Sequence, residues 1–230
     1  FLRENGIIVS VGCLKDKAEN VIAGFKSRIT KKRPFITVKI ASSLDSKIAL
    51  SNGISKWITN KHTRRLVHLY RARNDAILTG IGTINKDNPS LDCRILGLEK
   101  FSPKIIILDS KLIINKKSKL LNSDVSPIIL TTKDCDLKNK KSLEKKNISV
   151  NILNSDDQKR VNIFSALRYL SSLNINNLLI EAGANIITSF IKNGFVDSII
   201  LCRSGHFFGS DGIPYLLNMN LSEIKDNKIY

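Results

Sequence analysis

Apolar residues in this chain are concentrated in short continuous runs, with little alternation between apolar and polar positions. Runs of this length are typical of strands that are buried on both faces of a sheet. We therefore predict strands at residues 6–11, 35–40, 76–78, 104–108, 127–130, 148–152, 177–180 and 198–202.

Helical patterns lie between several of the predicted strands. The helix predicted over residues 61–73 follows Asn60, a suitable N-cap. Its apolar positions fall at i, i+3, i+4 and i+7 on one face, at Thr63, Leu66, Val67 and Tyr70. Further helices are predicted over 161–173 and over about 185–192. Alternating strands and helices predict an α/β fold with a mainly parallel sheet flanked by helices.

Length and composition suit one large domain or two small ones. The chain has 230 residues, of which 42% are hydrophobic and 25% charged. No apolar run approaches the ~20 residues of a membrane helix, and no secretory signal begins the chain. Because the sequence starts at Phe1 without a methionine, we expect a fragment or a processed chain. The basic stretch 30–34, which ends in a proline, is the expected boundary between two units.

Cysteine spacing argues against both disulfides and metal sites. Cys13, Cys93, Cys135 and Cys202 are far apart, and no CxxC motif or His-Cys cluster occurs. We predict four free thiols, no metal and a reducing, cytoplasmic location.

The basic charge has an ordinary explanation. With 37 Lys and Arg against 20 Asp and Glu, the formal net charge is +17. The lysines gather at 31–33, 116–119 and 138–146, among Asn and Ser, and few have an aromatic neighbour that could stack on a base. These stretches indicate solvated loops and helix faces. We therefore predict no nucleic-acid partner, and the charge suits an anionic small molecule equally well.

Candidate chemistry lies where the predicted parallel strands end, since ligands bind at that edge of an α/β sheet. One buried strand opens into the small polar loop 41–45, another precedes Gly80-Ile81-Gly82, and a third precedes Glu181-Ala182-Gly183. Glycine turns of this kind expose backbone N–H groups to a phosphate. Neither of the two glycine turns, at Gly80 and at Gly183, completes a dinucleotide fingerprint or has a P-loop lysine.

Charged residues near these turns are the remaining candidates. Glu181 ends an apolar strand, where an acid is costly unless it is paired or used. Phosphate could be clamped by arginines, the candidates being Arg71, Arg73 and Arg94. We interpret the histidines as structural or exposed, at His62, His68 and His206. These features are compatible with binding NAD(P) or a nucleotide and do not name a reaction.

Six stretches, taken together, closely resemble the reductase domain of the RibD family of riboflavin-biosynthesis proteins. They occur in the family's order over about residues 33–212: RPFITVKIASSLDSKIAL, SKWIT, RRLVHLYRARNDAILTGIGTINKDNPSLDCR, IIILDS, LLIEAGANIITSFIKNGFVDSIIL and FFGSDG. The resemblance implies a dihydrofolate-reductase-like fold over 34–230. It also implies NADPH-dependent reduction of the ribosyl chain of 5-amino-6-(5-phosphoribosylamino)uracil.

The resemblance extends to the ends of the chain. Residues 1–30 resemble the last strand and helix of the family's zinc-dependent, cytidine-deaminase-like domain, whose zinc motifs are absent here. The chain is therefore expected to reduce and not to deaminate, with zinc belonging only to the missing domain. The end at Tyr230 is expected to fall before the family's closing strands, and the family suggests a homodimer.

Family roles are carried over by position. The resemblance implies cofactor contacts at Ala41, Trp57, Thr83, Asp87, Ser110, Gly183, Ala184, Asn185, Ile186, Ile187, Thr188 and Ser189. It implies contacts with a phosphorylated pyrimidine substrate at Ser55, Arg71, Leu91, Arg94 and Glu181, with Arg71 and Arg94 on the phosphate. Lys39, Asp87 and Glu181 would surround the reacting sugar. We expect Lys39 and Glu181 to bond the ribose hydroxyls and to ease proton movement as the ring opens.

Two positions depart from the family pattern, and two other functions stay open. Ser46 stands where the family has a glycine, so a positive φ there would strain the turn. Asp92 stands where the family has a threonine and adds a negative charge near the phosphate arginines. The alternatives are another reductase of the same fold, such as one acting on folates, and a non-catalytic basic binding module.

Overall fold

A computed structural model describes residues 1–123 and 125–223. The strands are β1 Phe35–Ser42, β2 Lys47–Ala49, β3 Ala76–Gly80, β4 Lys104–Leu108, β5 Ile128–Thr131, β6 Ser149–Ile152, β7 Asn177–Ile180, β8 Ser198–Arg203 and β9 Ile213–Pro214. The α-helices are α1 Lys15–Val21, α2 Ala23–Lys31, α3 Lys61–Ala72, α4 Ile81–Asp87, α5 Leu137–Glu144, α6 Ile163–Ser172 and α7 Ala184–Lys192. Short 3₁₀ turns lie at Arg3–Asn5, Glu99–Phe101 and Lys119–Asn122.

Seven of the strands form one sheet in the order β6-β5-β4-β3-β7-β1-β8, and every pairing in it is parallel. β2 and β9 pair antiparallel in a small separate ribbon. The α/β prediction with a parallel sheet is therefore confirmed. β7, which comes late in the chain, lies between β3 and β1 near the centre of the sheet.

Helices cover both faces of the sheet. On one face, α6 and α7 pack through Leu167, Leu170 and Phe190 against β1, β3 and β7. On the other face, Ile84 of α4 and Leu143 of α5 pack against the opposite side chains of β3, β4 and β5. Burial on both faces explains why the central strands β3, β4, β5 and β7 are apolar without alternation.

The predicted strand at residues 6–11 is wrong. Residues 7–11 lie in no strand, and the side chains of Ile8 and Val11 are 99% and 81% exposed. A strand needs a neighbour that satisfies its backbone N–H and C=O groups, and the described residues provide none for this segment.

The other predicted strands and helices are confirmed within one or two residues at their ends. Asn60 caps α3, since its side-chain oxygen accepts a hydrogen bond from the N–H of Thr63 at 2.9 Å. The elements β2, β9, α4 and α5 escape prediction because each is too short to show a clear period. All four cysteines are free, as predicted. Within residues 1–123 and 125–223, no helix combines the length and the apolarity that a membrane crossing requires.

Hydrogen bonds to Asp197 connect the predicted boundary at residues 30–34 to the sheet. Asp197 accepts hydrogen bonds from Lys31 at 3.0 Å, from Arg33 at 2.9 Å and from the N–H of Ile36 at 2.9 Å. These bonds hold the pKa of Asp197 below its usual value, although burial acts in the opposite direction. The end of α2 and the start of β1 thus share one anchor. The predicted domain end at Tyr230 lies outside the described residues.

Ser46 has a positive φ of 68°, as expected for a position where the family has glycine. We predict that Ser46→Gly raises the free energy of unfolding by up to about 1 kcal/mol, because glycine adopts this conformation without a Cβ clash. Ser46→Val should lower it by about 1 kcal/mol or more. Urea denaturation of both variants measures this, with Ser51→Gly, at an exposed serine without a positive φ, as the control. Equal stability of the Gly and Val variants would contradict it.

Candidate active site

The site lies at the carboxyl ends of β3 and β7. From β3 the chain moves outward to β4 and β5, whereas from β7 it moves in the other direction, past β1 to β8. Neighbouring strands whose connections diverge leave a crevice at this edge of a parallel sheet, and ligands bind there. The glycine turns at Gly80 and Gly183 both fall at this point.

A cavity of about 330 Å³ opens beside this crevice. Its lining comes from the ends of β3 and β4, the first half of α7 and the loop before α6. Gly183 is the N-cap of α7 and no side chain caps the helix, so the first N–H groups of α7 lack side-chain partners. Gly80 allows a close approach, since a Cβ there would lie 2.5 Å from Cδ1 of Ile186.

The residues from Gly183 to Ser189, which are predicted to contact the cofactor, lie on different sides of helix α7. Asn185, Ile186 and Ser189 line the cavity. The other side of the helix faces the protein interior, where Ala184, Ile187 and Thr188 are buried. Thr188 also accepts a hydrogen bond from the N–H of Leu217 at 2.9 Å. Side-chain contact with a ligand in this cavity is therefore open to only part of the run.

Ser110 connects the cavity to a loop that sequence reasoning missed. Its hydroxyl oxygen accepts a hydrogen bond from the N–H of Val161 at 2.9 Å. This brings the loop before α6 to the cavity, together with Lys159 and Arg160, and Lys111 follows Ser110 on the same wall. No sequence signal joins residues so far apart, because only the order of the strands brings them together.

Next to the cavity, Lys39, Arg71 and Glu181 form a buried ion triad. Nζ of Lys39 lies 2.9 Å from Oε2 of Glu181, and Nε of Arg71 lies 2.7 Å from Oε1. Nη2 of Arg71 donates a second bond to Oε2 at 3.1 Å. The side chains are only 10–13% exposed. Three residues from β1, α3 and the end of β7, all predicted to hold the substrate or its sugar, are thus brought together.

The triad fixes the protonation state of its acid. Burial alone would raise the pKa of Glu181, but the positive charges of Lys39 and Arg71 outweigh it and lower the pKa to about 2. Glu181 in turn raises the pKa of Arg71 against the effect of burial. At neutral pH the triad therefore holds one carboxylate between two cations, and Glu181 acts as an acceptor.

Arg94 lies beside the triad in a different environment. Its side chain is 65% exposed, with Nε 3.5 Å from Oδ1 of Asp92 and Nη2 3.4 Å from Nε2 of His68. Three of the five N–H donors of Arg71 are used inside the protein, two on Glu181 and one on the carbonyl oxygen of Asp92. Of the two predicted phosphate arginines, Arg94 is the more available. Arg73, at the end of α3, is exposed.

Leu91 and His68 make contacts that the sequence did not indicate. The side chain of Leu91, a predicted substrate contact, is only 3% exposed and packs in the core beside β3 and β4. His68 contacts the backbone of residues 92–94, where the sequence suggested no partner. Its spacing from Arg71, one turn apart on α3, is the signal that could have indicated it.

The remaining predicted residues lie in β1, the loop before α3 and the helix α4. Trp57 is 68% exposed, and the guanidinium of Arg64 lies 4.3 Å from its ring centre. Asp87 ends α4, and its carboxylate lies 3.8 Å from Nζ of Lys56, outside the triad. Ser55 lies in the same loop and Thr83 in α4, whereas Ala41 is the second-last residue of β1.

The small polar loop that follows β1 is hydrogen-bonded to another segment of the protein. The carboxylate of Asp45 accepts hydrogen bonds from the N–H groups of Phe208 at 3.0 Å and Gly209 at 2.8 Å. Asp45 therefore links this loop to the segment after β8. Because the Asp45 carboxylate already accepts these hydrogen bonds, it is less available to bind a ligand.

The parallel sheet flanked by helices is shared with solved reductases of the dihydrofolate-reductase-like α/β class. The family model of the RibD C-terminal domain matches residues 34–229. The chain belongs to the RibD C-terminal domain family.

Named relatives agree with this assignment. The riboflavin biosynthesis protein RibD of Aquifex aeolicus is 40% identical over 200 residues, which cover 87% of this chain and 54% of that protein. The 2,5-diamino-6-ribosylamino-4(3H)-pyrimidinone 5′-phosphate reductase of Candida glabrata is 31% identical, with 79% of this chain and 78% of that protein covered. The chain spans only about half the length of the RibD relatives it matches.

A solved structure shows the same architecture. It is the diaminohydroxyphosphoribosylaminopyrimidine deaminase/5-amino-6-(5-phosphoribosylamino)uracil reductase of Thermotoga maritima. The TM-score is 0.79 at 31% identity, and the match covers 97% of this chain and 59% of that one.

Proposed function

We propose that this chain is an NADPH-dependent reductase of riboflavin biosynthesis that acts on 5-amino-6-(5-phosphoribosylamino)uracil. The observation that carries the proposal is the buried triad of Lys39, Arg71 and Glu181 beside a cavity at the switch point of the sheet. The names of the relatives support the reaction.

The cavity wall offers groups that suit a phosphorylated cofactor. Its wall includes the N-terminal half of α7, whose N–H groups and dipole favour phosphate, and Gly80, where a Cβ would disturb the packing of Ile186. Ser110 and Asn185 offer polar atoms on the same wall. When bound, NADPH supplies the hydride.

Substrate binding is assigned to the triad and to Arg94. The exposed guanidinium of Arg94 suits the substrate's phosphate, and Arg71 keeps two N–H donors for the same group. Lys39 donates to the ribose hydroxyls and Glu181 accepts from them, so that protons can move as the sugar ring opens. The protein's remaining contribution is to hold the sugar carbon at the edge of the cavity.

The direct test mixes the purified chain with NADPH and the phosphoribosylaminouracil and follows the loss of reduced-nicotinamide absorbance. Oxidation that depends on the substrate is the expected result. A folded chain that binds NADPH but does not oxidise it with this substrate, or that oxidises it equally well with dihydrofolate, would overturn the substrate assignment. A chain that binds nucleic acid in a salt-sensitive manner and has no affinity for NADPH would support a basic binding module instead.

The cations on the cavity wall provide a test of cofactor choice. NADPH differs from NADH by a 2′-phosphate, and Lys111 and Lys159 line the cavity, whereas Arg160 is paired with Asp156 at 3.1 Å. We predict that the double replacement Lys111→Met, Lys159→Met weakens NADPH binding about 10-fold and leaves NADH binding unchanged. Nicotinamide fluorescence measures both affinities, with Lys116→Met, Lys117→Met as the matched control. An equal loss for both dinucleotides would contradict the assignment.

Three further proposals rest on the family resemblance. We propose that residues 1–30 are the end of a deaminase-like domain, that the protein is cytoplasmic, and that the reductase unit forms a homodimer. Exposed apolar side chains in the first segment, including Ile8 and Val11, are consistent with a missing neighbour. Sedimentation equilibrium of the chain tests the dimer directly.

A further inference from the structure

His68 lies where α3 meets the turn that carries Arg94. Its Nδ1 is 3.0 Å from the carbonyl oxygen of Asp92 and 3.2 Å from the backbone nitrogen of Arg94. On the other side of the ring, Nε2 is 3.4 Å from Nη2 of Arg94. Both nitrogens of one imidazole therefore contact the same short turn.

These contacts indicate the protonation state of the ring. A carbonyl oxygen can only accept and a guanidinium can only donate. With the proton on Nδ1, His68 donates to Asp92 and its Nε2 lone pair accepts from Arg94, which satisfies two of the three contacts. With the proton on Nε2, the Nδ1 lone pair would face the carbonyl oxygen of Asp92 and the Nε2–H would face the guanidinium of Arg94. Only the hydrogen bond from the backbone N–H of Arg94 to Nδ1 would then form. A doubly protonated ring would set an N–H and a positive charge against the guanidinium.

The same turn is tied to the triad. The carbonyl oxygen of Asp92 also accepts from Nη1 of Arg71 at 3.1 Å, and Arg71 is bonded to Glu181. His68 and Arg71 share this oxygen from one face of α3. The position of the turn is therefore set relative to the catalytic carboxylate, while the side chain of Arg94 lies between the carboxylate of Asp92 and the ring of His68.

Charge around the ring favours the neutral form. Burial is the main cause that lowers the pKa of His68, and the positive charges of Arg71 and Arg94 act in the same direction. The carbonyl and the carboxylate of Asp92 oppose them without reversing the result. Within the described part of the chain, Arg71, Arg94 and Asp92 are the charged groups that act on the ring.

We propose that His68 is a positioning residue that, as a neutral Nδ1–H imidazole, aims the guanidinium of Arg94 at the phosphate of the substrate. The inference rests on the proposed function and adds the group that orients its phosphate arginine. His68 itself does not touch the reacting atoms.

The test compares His68→Leu with His68→Gln. Leucine removes both polar contacts, so the KM for the phosphorylated substrate should rise about 10-fold while kcat stays within about twofold. Glutamine offers one N–H donor and one acceptor and should restore most of the loss. His62→Leu, at an exposed histidine of the same helix, is the matched control. A dephosphorylated substrate should be bound equally by the wild type and by His68→Leu.

Two results would overturn the inference. One is a fall in kcat with unchanged KM, and the other is an equal loss with and without the substrate's phosphate. Nitrogen-15 NMR of the ring gives an independent readout, which should show a neutral imidazole protonated on Nδ1 at pH 7. If the wild type oxidises no NADPH, the proposed function fails by itself. The His68 inference is then decided by two other results. The NMR spectrum must show the neutral Nδ1–H ring, and His68→Leu must bind ribose 5-phosphate more weakly than the wild type.

Discussion

Replacing Glu181 by glutamine should lower turnover by about 10²–10⁴-fold and lower the free energy of unfolding by about 3–5 kcal/mol. The amide keeps the shape of the side chain but removes its charge. Lys39 and Arg71, which lie 2.9 and 2.7 Å from the carboxylate, would then face each other with no counter-charge in a site that is nearly closed to water. Two buried cations without an anion are costly, and the acceptor for the ribose hydroxyls is lost.

The measurements are steady-state NADPH oxidation and urea denaturation. Glu144→Gln is the matched control, since Glu144 pairs with Lys140 on the exposed surface of α5 and should lose little in either measurement. Turnover of Glu181→Gln within a few-fold of the wild type would remove Glu181 from the proposed mechanism, even if the variant were less stable.

The same residue gives the stability a defined pH dependence. The pKa of Glu181 is about 2 in the folded protein against an ordinary value of 4.5, so ionised Glu181 stabilises the fold by about 3 kcal/mol. This contribution is fully present above about pH 4.5 and is lost as the pH falls towards 2. Glu181→Gln should flatten the pH dependence of unfolding in this range, and an unchanged curve would contradict the assigned pKa.

Gly80→Val should weaken NADPH binding about 100-fold while the chain stays folded. A Cβ at this position would lie 2.5 Å from Cδ1 of Ile186, and the branched side chain would drive Ile186 into the cavity that we assign to the cofactor. Nicotinamide fluorescence measures the affinity, and thermal denaturation reports the folding.

A smaller substitution at Gly80 distinguishes a local packing effect on the cavity from a general loss of structure. Gly80→Ala should weaken NADPH binding about 10-fold, and Ile186→Val in that background removes the one methyl that the new Cβ would meet. Recovery of affinity in the double variant is therefore expected. Wild-type affinity in Gly80→Val would show that the dinucleotide binds elsewhere.

The fold could largely be predicted from the sequence because burial on both faces makes the central strands β3, β4, β5 and β7 continuous apolar runs. The segment 6–11 shows the limit of this argument, since it is apolar and yet no strand of the described residues pairs with it. Apolarity indicates that a segment is suited to burial. Whether a partner is available is a property of the rest of the molecule.

The site could be predicted in part. Glu181 was indicated by the cost of an acid at the end of an apolar strand, and the triad confirms that it is paired. The cavity wall with Lys159 and Arg160 could not be predicted, because it depends on the order of the strands. The contacts of His68 could be anticipated only from its spacing to Arg71 on α3, because they are mainly with backbone atoms of a turn.

The place of β7 in the sheet has a consequence for the synthesis of the chain. Among the residues that the structure describes, β1 pairs with β7 and β8 alone, so the strand that begins at Phe35 has no partner until the ribosome has passed Asn177. At typical rates of translation that delay is roughly 7–30 s. During this time Ile36, Val38 and Ile40 leave the ribosome as an unpaired apolar edge. The nascent chain is therefore a natural client for chaperones, and an arrest of translation before Asn177 would release an aggregation-prone fragment.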